Sequence, residues 1–326
     1  MPSTATHAYF SLDVLEKLNN HSKKYIDNEL IKAFSQGPDP IYFYNLASLA
    51  KGKYIRNKYT DLLHDSKTKD FFITLITEIK NRKLTKNKQV MSFLYGFITH
   101  YALDTTLHPY IAFKTGIYDK NNKETYKYKN LHIDMEVHLD CYMIFQKEQI
   151  PAKNFKLHNF CFNIKQMDNK FKELLDDICK SVYSIDNFSH VYYKSLKQMK
   201  NIYRTFRYDK TGIKKLGYKI IDKCLPLKQL NKEQLSYNVN YKNKLHYLNK
   251  EKNEWNHPMD QYETYNYSFV ELYHIALNKA LEIINEVNKV LYKDNDIEKL
   301  NQVFKNISYR TGKDCNDKRK MQYFEY

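Results

Sequence analysis

The stretch GFITHYALDTTLHPYI, from Gly96 to Ile111, places three ionisable side chains inside an otherwise largely apolar run. His100, Asp104 and His108 follow one another at intervals of four residues, which puts them on one face of an α-helix. The other positions are mostly apolar or aromatic, as is typical of a helix in a protein core. Buried polar groups without partners cost several kcal/mol each. The stretch therefore predicts a core helix whose polar face holds a ligand.

The composition of the whole chain favours a helical fold. The 326 residues include only seven glycines and seven prolines, few for a fold built from many tight turns. A glycine-rich phosphate-binding loop, as expected of a dinucleotide-binding sheet, is absent from the sequence. We predict an all-α, multi-helix bundle, in which residues 1–150 carry the functional site. Residues 151–326 are expected to extend the same helical body within one domain.

Helices are predicted where apolar residues recur every three or four positions. The predicted ranges are 8–18, 23–34, 41–50, 69–80, 89–107, 131–146, 168–183, 191–204, 212–224, 268–291 and 297–307. The motif SQGPDP ends the second of these helices, because glycine and proline do not continue a helix. Residues 224–267 are interpreted as mostly loop without convincing strand pairing, and the C-terminal GKDCNDKRKMQYFEY as frayed or peripheral.

The chain is strongly basic, with a formal net charge of +16 from 53 lysines and arginines against 37 acidic residues. Such a balance suits an anionic partner, such as a phospholipid surface or, less favourably, nucleic acid. An AT-rich genome, which enriches lysine, asparagine, tyrosine and isoleucine everywhere, is an equally simple explanation. The charge alone therefore does not identify a substrate.

Cysteine usage and the N-terminal sequence bear on the cellular location. The five cysteines, Cys141, Cys161, Cys179, Cys224 and Cys315, are scattered and form no CxxC pair, which argues against a disulfide framework. The N-terminus lacks a basic segment followed by an apolar core, and no apolar run is long enough to span a bilayer. We expect a cytoplasmic protein without a transmembrane segment, peripheral at most to the inner membrane face.

Five more candidate metal ligands accompany the central stretch. HIDME places His132 and Glu136 four residues apart, while His7, Asp39 and His64 stand alone in short segments. Zinc binds imidazole nitrogens and carboxylate oxygens, and one helix can supply two ligands four residues apart. Each motif alone has an ordinary explanation, such as a hydrogen-bonded surface pair or a turn-forming aspartate before proline. Their co-occurrence favours two or three zinc ions with a bridging carboxylate.

In this order the residues resemble the zinc-dependent phospholipase C family of bacterial hydrolases, whose superfamily includes fungal single-strand nucleases. The family pattern is an N-terminal residue with a nearby His, then an Asp and a His. It continues with His-x-x-x-Asp and a following His, and it closes with His-x-x-x-Glu. The matching side chains in this sequence are His7, Asp39, His64, His100, Asp104, His108, His132 and Glu136. The resemblance covers about the first 140 residues.

The resemblance implies three zinc ions that share the bridging carboxylate of Asp104. The further ligands would be Asp39, His64 and His100 for one ion, His108, His132 and Glu136 for the second, and Pro2 and His7 for the third. Pro2 would bind through its amine and carbonyl after removal of Met1, since a metal readily deprotonates an α-amine.

The implied activity is phospholipase C-type hydrolysis of a phosphodiester by metal-activated water, with Asp39 as the orienting or general-base carboxylate. Three departures from secreted members leave the substrate open. His108 follows Asp104 by only four residues, the loop from His108 to His132 is longer, and Pro2 replaces an N-terminal aromatic residue. A single-strand nuclease, another phosphoesterase of the superfamily or a non-catalytic metal-stabilised binding protein remain alternatives.

Overall fold

The structure is a computed structural model that describes residues 4–46, 48, 51–207, 214, 237, 239–293 and 296–325. The described residues form an α-helical protein with one small β-hairpin, which confirms the predicted all-α class. The α-helices are α1 (Thr4–Lys17), α2 (Asn20–Lys23), α3 (Asn28–Phe34), α4 (Lys51–Asp65), α5 (Thr68–Asn81), α6 (Lys88–Thr115), α7 (Leu131–Glu148), α8 (Leu157–Cys161), α9 (Asn169–Tyr183), α10 (Phe188–Thr205), α11 (Phe269–Tyr292) and α12 (Leu300–Val303).

Short 3₁₀-helices and the hairpin connect these helices. The 3₁₀-helices are Asp39–Phe43, Lys123–Tyr128, Ala152–Asn154, Tyr241–Leu248 and Ile297–Lys299. The antiparallel strands are β1 (Trp255–His257) and β2 (Asp260–Tyr265). The hairpin departs from the loop predicted for residues 224–267. It is fixed by Trp255, whose ring lies 5.2 Å from that of Tyr110 on α6 and whose indole N–H donates to the carbonyl of Tyr267.

Helix α6 is the centre of the fold. Nearly all of its residues are buried, and α1, α3, α5, α7 and α11 pack against it. The side chain of Asn87 caps its first turn by accepting the backbone N–H groups of Gln89 and Val90. The helix continues through Pro109 to Thr115, beyond the predicted end at residue 107. Packing on every side compensates for the hydrogen bond that a proline cannot donate.

Three predicted helices differ from the structure. The predicted helix 297–307 is a 3₁₀-helix over Ile297–Lys299 followed by α12, which ends at Val303 because Phe304 adopts an extended conformation. The range 41–50 was assigned wrongly, because the 3₁₀-helix Asp39–Phe43 occupies its start and the unpredicted helix α4 begins only at Lys51. The predicted helix 23–34 is divided into α2 and α3, since Asp27 caps α3 by accepting N–H groups of Glu29 and Leu30. The predicted helix 212–224 lies, except for residue 214, outside the described residues.

The C-terminal segment is not frayed, contrary to the prediction. The backbone N–H groups of Gln322 and Tyr323 donate to the carbonyl of Pro258, and that of Glu325 donates to Phe113 on α6. Backbone donors anchored in this way tie the segment to the helical body. Residues 308–313, here named the C-terminal turn, close on themselves through N–H···O bonds from Gly312 to Ser308 and from Ser308 to Lys313.

In the part of the chain that the structure describes, every helix is too short or too polar to cross a lipid bilayer. Four cysteines are free thiols, namely Cys141, Cys161, Cys179 and Cys315. Cys224 lies outside the described residues.

Candidate metal centre

The polar face of α6 points into the interior, as its spacing predicted. His100, Asp104 and His108 are all buried. The Oδ2 atom of Asp104 lies 3.1 Å from Nε2 of His100 and 3.5 Å from Nδ1 of His108. One carboxylate therefore contacts imidazoles on both sides along the same helix face.

A first set of potential ligands, here named the inner group, comprises His7, Asp39, His100 and Asp104. Each contributes one potential ligand atom, and these atoms all lie within 4.8 Å of one another. All four residues are buried. His7 projects from α1, where its Nε2 lies 3.1 Å from Oδ1 of Asp104 and its ring stacks on that of His100 at 4.5 Å. The inner group thus joins α1, the 3₁₀-helix Asp39–Phe43 and α6.

A second set, here named the outer group, comprises His108, His132 and Glu136, whose potential ligand atoms also lie within 4.8 Å of one another. Nε2 of His132 and Nε2 of His108 lie 3.2 and 3.6 Å from Oε1 of Glu136. Glu136 is fully buried, whereas the side chain of His132 is 39% exposed. The outer group is therefore the part of the centre that opens to solvent.

The remaining predicted ligands fall into two cases. His64, at the end of α4, lies beside the inner group and contacts it through Asp39, with Nε2 3.1 Å from Oδ1. Pro2 lies outside the described residues. The structure therefore brings together all eight side chains that the sequence pattern selected.

Three of the imidazoles are oriented in the same manner by the backbone. Each places Nδ1 near a carbonyl oxygen, in the pairs His64 with Thr60, His100 with Ser35, and His108 with Tyr309, at 2.7, 3.1 and 2.7 Å. A carbonyl oxygen only accepts hydrogen bonds, so Nδ1 must carry the proton. In the neutral ring, Nε2 then presents its lone pair to the interior of the site.

When the rings are neutral, as a metal requires, this orientation leaves hydrogen-bond acceptors facing one another. Nε2 of His64 points at Asp39, and Nε2 of His100 approaches Asp104 at 3.1 Å without hydrogen-bond geometry. Among the described residues, the buried atoms Nδ1 of His7, Nε2 of His100 and Oδ2 of Asp104 have no hydrogen-bond partner. A cation bound between nitrogen and oxygen donors would satisfy them together, so the residues present fit a divalent metal.

The ionisation of the centre follows from burial and from these charge contacts. Burial alone would raise the pKa of Asp104, but the neighbouring imidazoles of His100, His108 and His7 hold it well below its usual range. Burial lowers the pKa of His7 and of His64. Burial would also lower the pKa of His108, yet the negative charges of Asp104 and Glu136 raise it to about 9. The carboxylates are thus ionised at neutral pH.

Gly37 makes the close approach between the 3₁₀-helix and α6 possible. Its φ of +52° lies in the left-handed region, and a Cβ atom there would lie 2.3 Å from the ring of His100. Asp39 follows two residues later, so the glycine determines how near the Asp39 carboxylate comes to the other residues of the inner group. The motif SQGPDP is therefore part of the site as well as a helix stop.

A family model described as zinc-dependent phospholipase C matches residues 6–185 of the chain. The chain belongs to the zinc-dependent phospholipase C family. The matched segment contains all eight side chains of the centre and confirms the resemblance read from their order. No curated protein and no solved structure matches the chain.

Within the segment matched by the zinc-dependent phospholipase C model, Asp140 is a supporting residue that the sequence reasoning missed. It is fully buried on α7 and accepts the backbone N–H groups of Ala5 and Thr6 at 3.0 and 2.7 Å. It also accepts the hydroxyls of Thr6 and Tyr237, both at 2.6 Å. Asp140 thus caps the first turn of α1, the helix that carries His7. In the sequence, the position of Asp140 four residues after Glu136 could have indicated that it faces the centre as well.

A second supporting feature lies outside the segment matched by the zinc-dependent phospholipase C model. In the C-terminal turn, the N–H of Tyr309 donates to the carbonyl of His64 at 2.9 Å, and its carbonyl accepts Nδ1 of His108. The next residue, Arg310, donates to the carboxylates of Asp61 and Asp65 on α4. The turn therefore connects α4 to α6 directly behind the centre. Backbone groups leave no side-chain pattern, so the sequence offered no signal for this role.

Proposed function

We propose that the protein is a zinc-dependent phosphodiester hydrolase of the phospholipase C type. The observation that carries this proposal is the arrangement of two adjacent ligand groups, within each of which Nε2 atoms face carboxylate oxygens. Asp104 lies between them, with its carboxylate 3.5 Å from the His108 ring. Clustered metal sites with a shared carboxylate suit in-line displacement at phosphorus, where charge builds on several oxygens at once. Membership of the zinc-dependent phospholipase C family supports both the metal and the substrate class.

The donor set fits zinc, which binds neutral imidazole and carboxylate groups. The inner group, with His64 beside it, and the outer group would hold the ions, and Pro2 would contribute its amine as the resemblance implies. We expect two to three zinc ions per chain. When bound, zinc supplies Lewis acidity, which polarises phosphoryl oxygens and makes a water-derived nucleophile available near neutral pH.

Asp39 is proposed to orient the attacking water. Burial alone would raise the pKa of this carboxyl, but the adjacent imidazoles of His64 and His100 lower it below its usual value. An ionised carboxylate held by one imidazole can accept a hydrogen bond from water and fix its direction. His64, whose ring is held by the carbonyl of Thr60, lies beside Asp39 and would be a further metal ligand, as the resemblance implies.

Access for a substrate is proposed at the outer group. His132 is partly exposed, whereas the residues of the inner group are buried. A phosphodiester approaching from this side would meet the outer group first and extend towards Asp104. The formal net charge of +16 favours the approach of any anionic ester.

The test combines metal analysis with a substrate panel on the purified full-length chain. Water-soluble short-chain phosphatidylcholine, a phosphomonoester and a single-stranded oligonucleotide would be compared as substrates. We expect roughly two to three zinc equivalents and hydrolysis of the phosphatidylcholine. Asp104→Asn should lower both the zinc content and the turnover, the latter by more than roughly 100-fold. Asp13→Asn is the matched control, because Asp13 contacts Lys147 and Tyr273 away from the centre.

Two outcomes would contradict this proposal. Zinc-loaded protein that cleaves only the oligonucleotide would identify a nuclease. Zinc-loaded protein that hydrolyses none of the esters would identify a metal-stabilised binding protein.

A further inference from the structure

The loop between α6 and α7 exposes a concentration of apolar side chains. Ile117, Tyr118 and Tyr126 are 43%, 40% and 50% exposed. These are three of the nine large hydrophobic side chains that are exposed in the described part of the chain. Single exposed hydrophobic residues are ordinary, whereas three within ten positions form a patch of the kind that marks a binding surface. We name residues 117–129 the interhelix loop.

The patch is held outwards by hydrogen bonds within the loop. The hydroxyl of Thr125 donates to the carbonyl of Asp119 at 2.9 Å and accepts the N–H of Asp119 at 2.8 Å. The hydroxyl of Tyr126 donates to the carbonyl of Lys120 at 3.0 Å, and its ring lies 5.7 Å from that of Tyr118. These contacts preorganise the two tyrosines side by side on the surface.

Exposed lysines surround the apolar patch. The interhelix loop contains four of them, Lys120, Lys123, Lys127 and Lys129, against one aspartate and one glutamate, a net charge of +2. Apolar and tyrosine side chains insert at the level of lipid headgroups, while lysines beside them attract anionic lipids. The composition of the loop is therefore complementary to an anionic phospholipid surface.

The interhelix loop also leads directly into the outer group. It runs from the end of α6 to the start of α7, and His132, the partly exposed residue of the outer group, follows its last residue by three positions. A surface bound by the loop would thus lie beside the mouth of the metal centre.

We propose that the interhelix loop docks the mouth of the metal centre onto anionic phospholipid membranes. This inference rests on the proposed function, whose substrate it places in a lipid surface. A nucleic acid fits the loop less well. Bases stack on open aromatic faces or on arginine. In this loop the rings of Tyr118 and Tyr126 lie against each other at 5.7 Å, the third exposed side chain is the aliphatic Ile117, and there is no arginine.

The test measures co-sedimentation with vesicles of equimolar phosphatidylcholine and phosphatidylserine, and with vesicles of phosphatidylcholine alone. We expect binding to the mixed vesicles that weakens as salt is raised. The double variant Ile117→Ser/Tyr118→Ser should lower the vesicle affinity by roughly tenfold or more. Lys123→Gln/Lys129→Gln should lower it by roughly fivefold per lysine and reduce its salt dependence.

The matched controls lie on α4, remote from the loop in sequence. Tyr54→Ser removes a tyrosine that is 61% exposed, and Lys53→Gln/Lys58→Gln removes two exposed lysines. Both controls should bind vesicles like the unchanged chain. The inference is overturned if the loop variants bind as well as these controls, or if the loop binds single-stranded oligonucleotide in preference to vesicles.

Sedimentation requires no catalysis, so the two proposals fail separately. Hydrolysis of soluble short-chain phosphatidylcholine should be unchanged in the loop variants, while hydrolysis of vesicle lipid should fall with their affinity. A chain that binds vesicles through the loop but hydrolyses nothing would overturn the proposed function alone. A chain that hydrolyses the soluble ester while its loop variants retain vesicle binding would overturn this inference alone.

Discussion

The inner and outer groups reach similar ligand geometry by different routes. The inner group collects residues from α1, a 3₁₀-helix and α6, with all of its side chains buried. The outer group needs only α6 and α7, which follow one another along the chain, and it leaves His132 partly exposed. The inner group is therefore a product of the tertiary fold, whereas the outer group is largely local. We expect perturbations of the fold to affect them differently.

The principal supports of the two groups differ as well. The inner group depends on Asp140, which holds the start of α1, and on Gly37, which admits His100. The outer group depends on the C-terminal turn, where the carbonyl of Tyr309 orients His108. This difference should allow each group to be disturbed more than the other.

The largest expected effect is a pH dependence of stability that reverses when zinc is bound. In the metal-free chain the pKa of His108 is about 9, above its unfolded value of 6.5. Its stabilising contribution is complete below pH 6.5 and is lost as the pH rises through 9, a change of up to about 3 kcal/mol. Zinc needs the deprotonated ring, so its affinity and the stability of the loaded chain should rise over the same range.

Urea unfolding at several pH values, with a chelator and with zinc, would measure both trends. In the metal-free chain, His108→Gln should reduce the decrease in the free energy of unfolding as the pH rises. A free energy of unfolding that changes in the same direction in both states would contradict the assignment of His108 to a metal.

The second-largest effect is expected from Asp140→Asn, which should change the zinc affinity of the inner group but not that of the outer group. Asp140→Asn replaces a carboxylate that accepts four hydrogen bonds by an amide whose NH₂ group cannot accept them. The start of α1 should loosen and His7 should lose its position. We expect the zinc affinity of the inner group to fall by roughly 10- to 100-fold, while that of the outer group is retained.

Competition with a chromogenic chelator would distinguish zinc bound by the inner group from zinc bound by the outer group. Asp13→Asn again provides the control, because the contact of Asp13 with Lys147 also ties α1 to α7 but lies away from the ligands. Equal losses at both groups, or equal effects of the two variants, would show that Asp140 supports the fold in general rather than the inner group.

The smallest effects are expected from a matched pair of glycine substitutions. Gly37→Ala and Gly312→Ala each place a side chain at positive φ. This should lower the free energy of unfolding by about 1 to 2 kcal/mol. The new Cβ at Gly37 would lie 2.3 Å from the His100 ring, and that at Gly312 would lie 2.8 Å from Pro109. Gly37→Ala should therefore destabilise more and weaken the inner group, whereas Gly312→Ala should weaken the outer group. Thermal unfolding and zinc content of both variants would reveal any reversal of this order.

Most helices with strong apolar periodicity, and the clustering of the candidate ligands that they carry, could be predicted from the sequence. In α6 and α7 the spacing of four residues fixed which side chains share a face. Helix α4 was missed because GKYIRNKYTD is rich in polar and charged residues, and its helical state depends on tertiary contacts such as that of Arg56 with the carbonyls of Tyr44 and Asn45. The C-terminal segment from Gly312 was wrongly predicted to be frayed, because its polar sequence is anchored through backbone hydrogen bonds that leave no side-chain pattern.

The link between Tyr309 and His108 also has a consequence for biosynthesis. These two residues are separated by 201 positions, and the carbonyl of Tyr309 is made long after the ligand helices. At typical rates of translation, about 10 to 40 seconds pass between the two. A nascent chain that captured zinc during this interval would do so with an unrestrained His108 ring. Correct loading is therefore expected only after the C-terminal turn has been synthesised and has packed against α6.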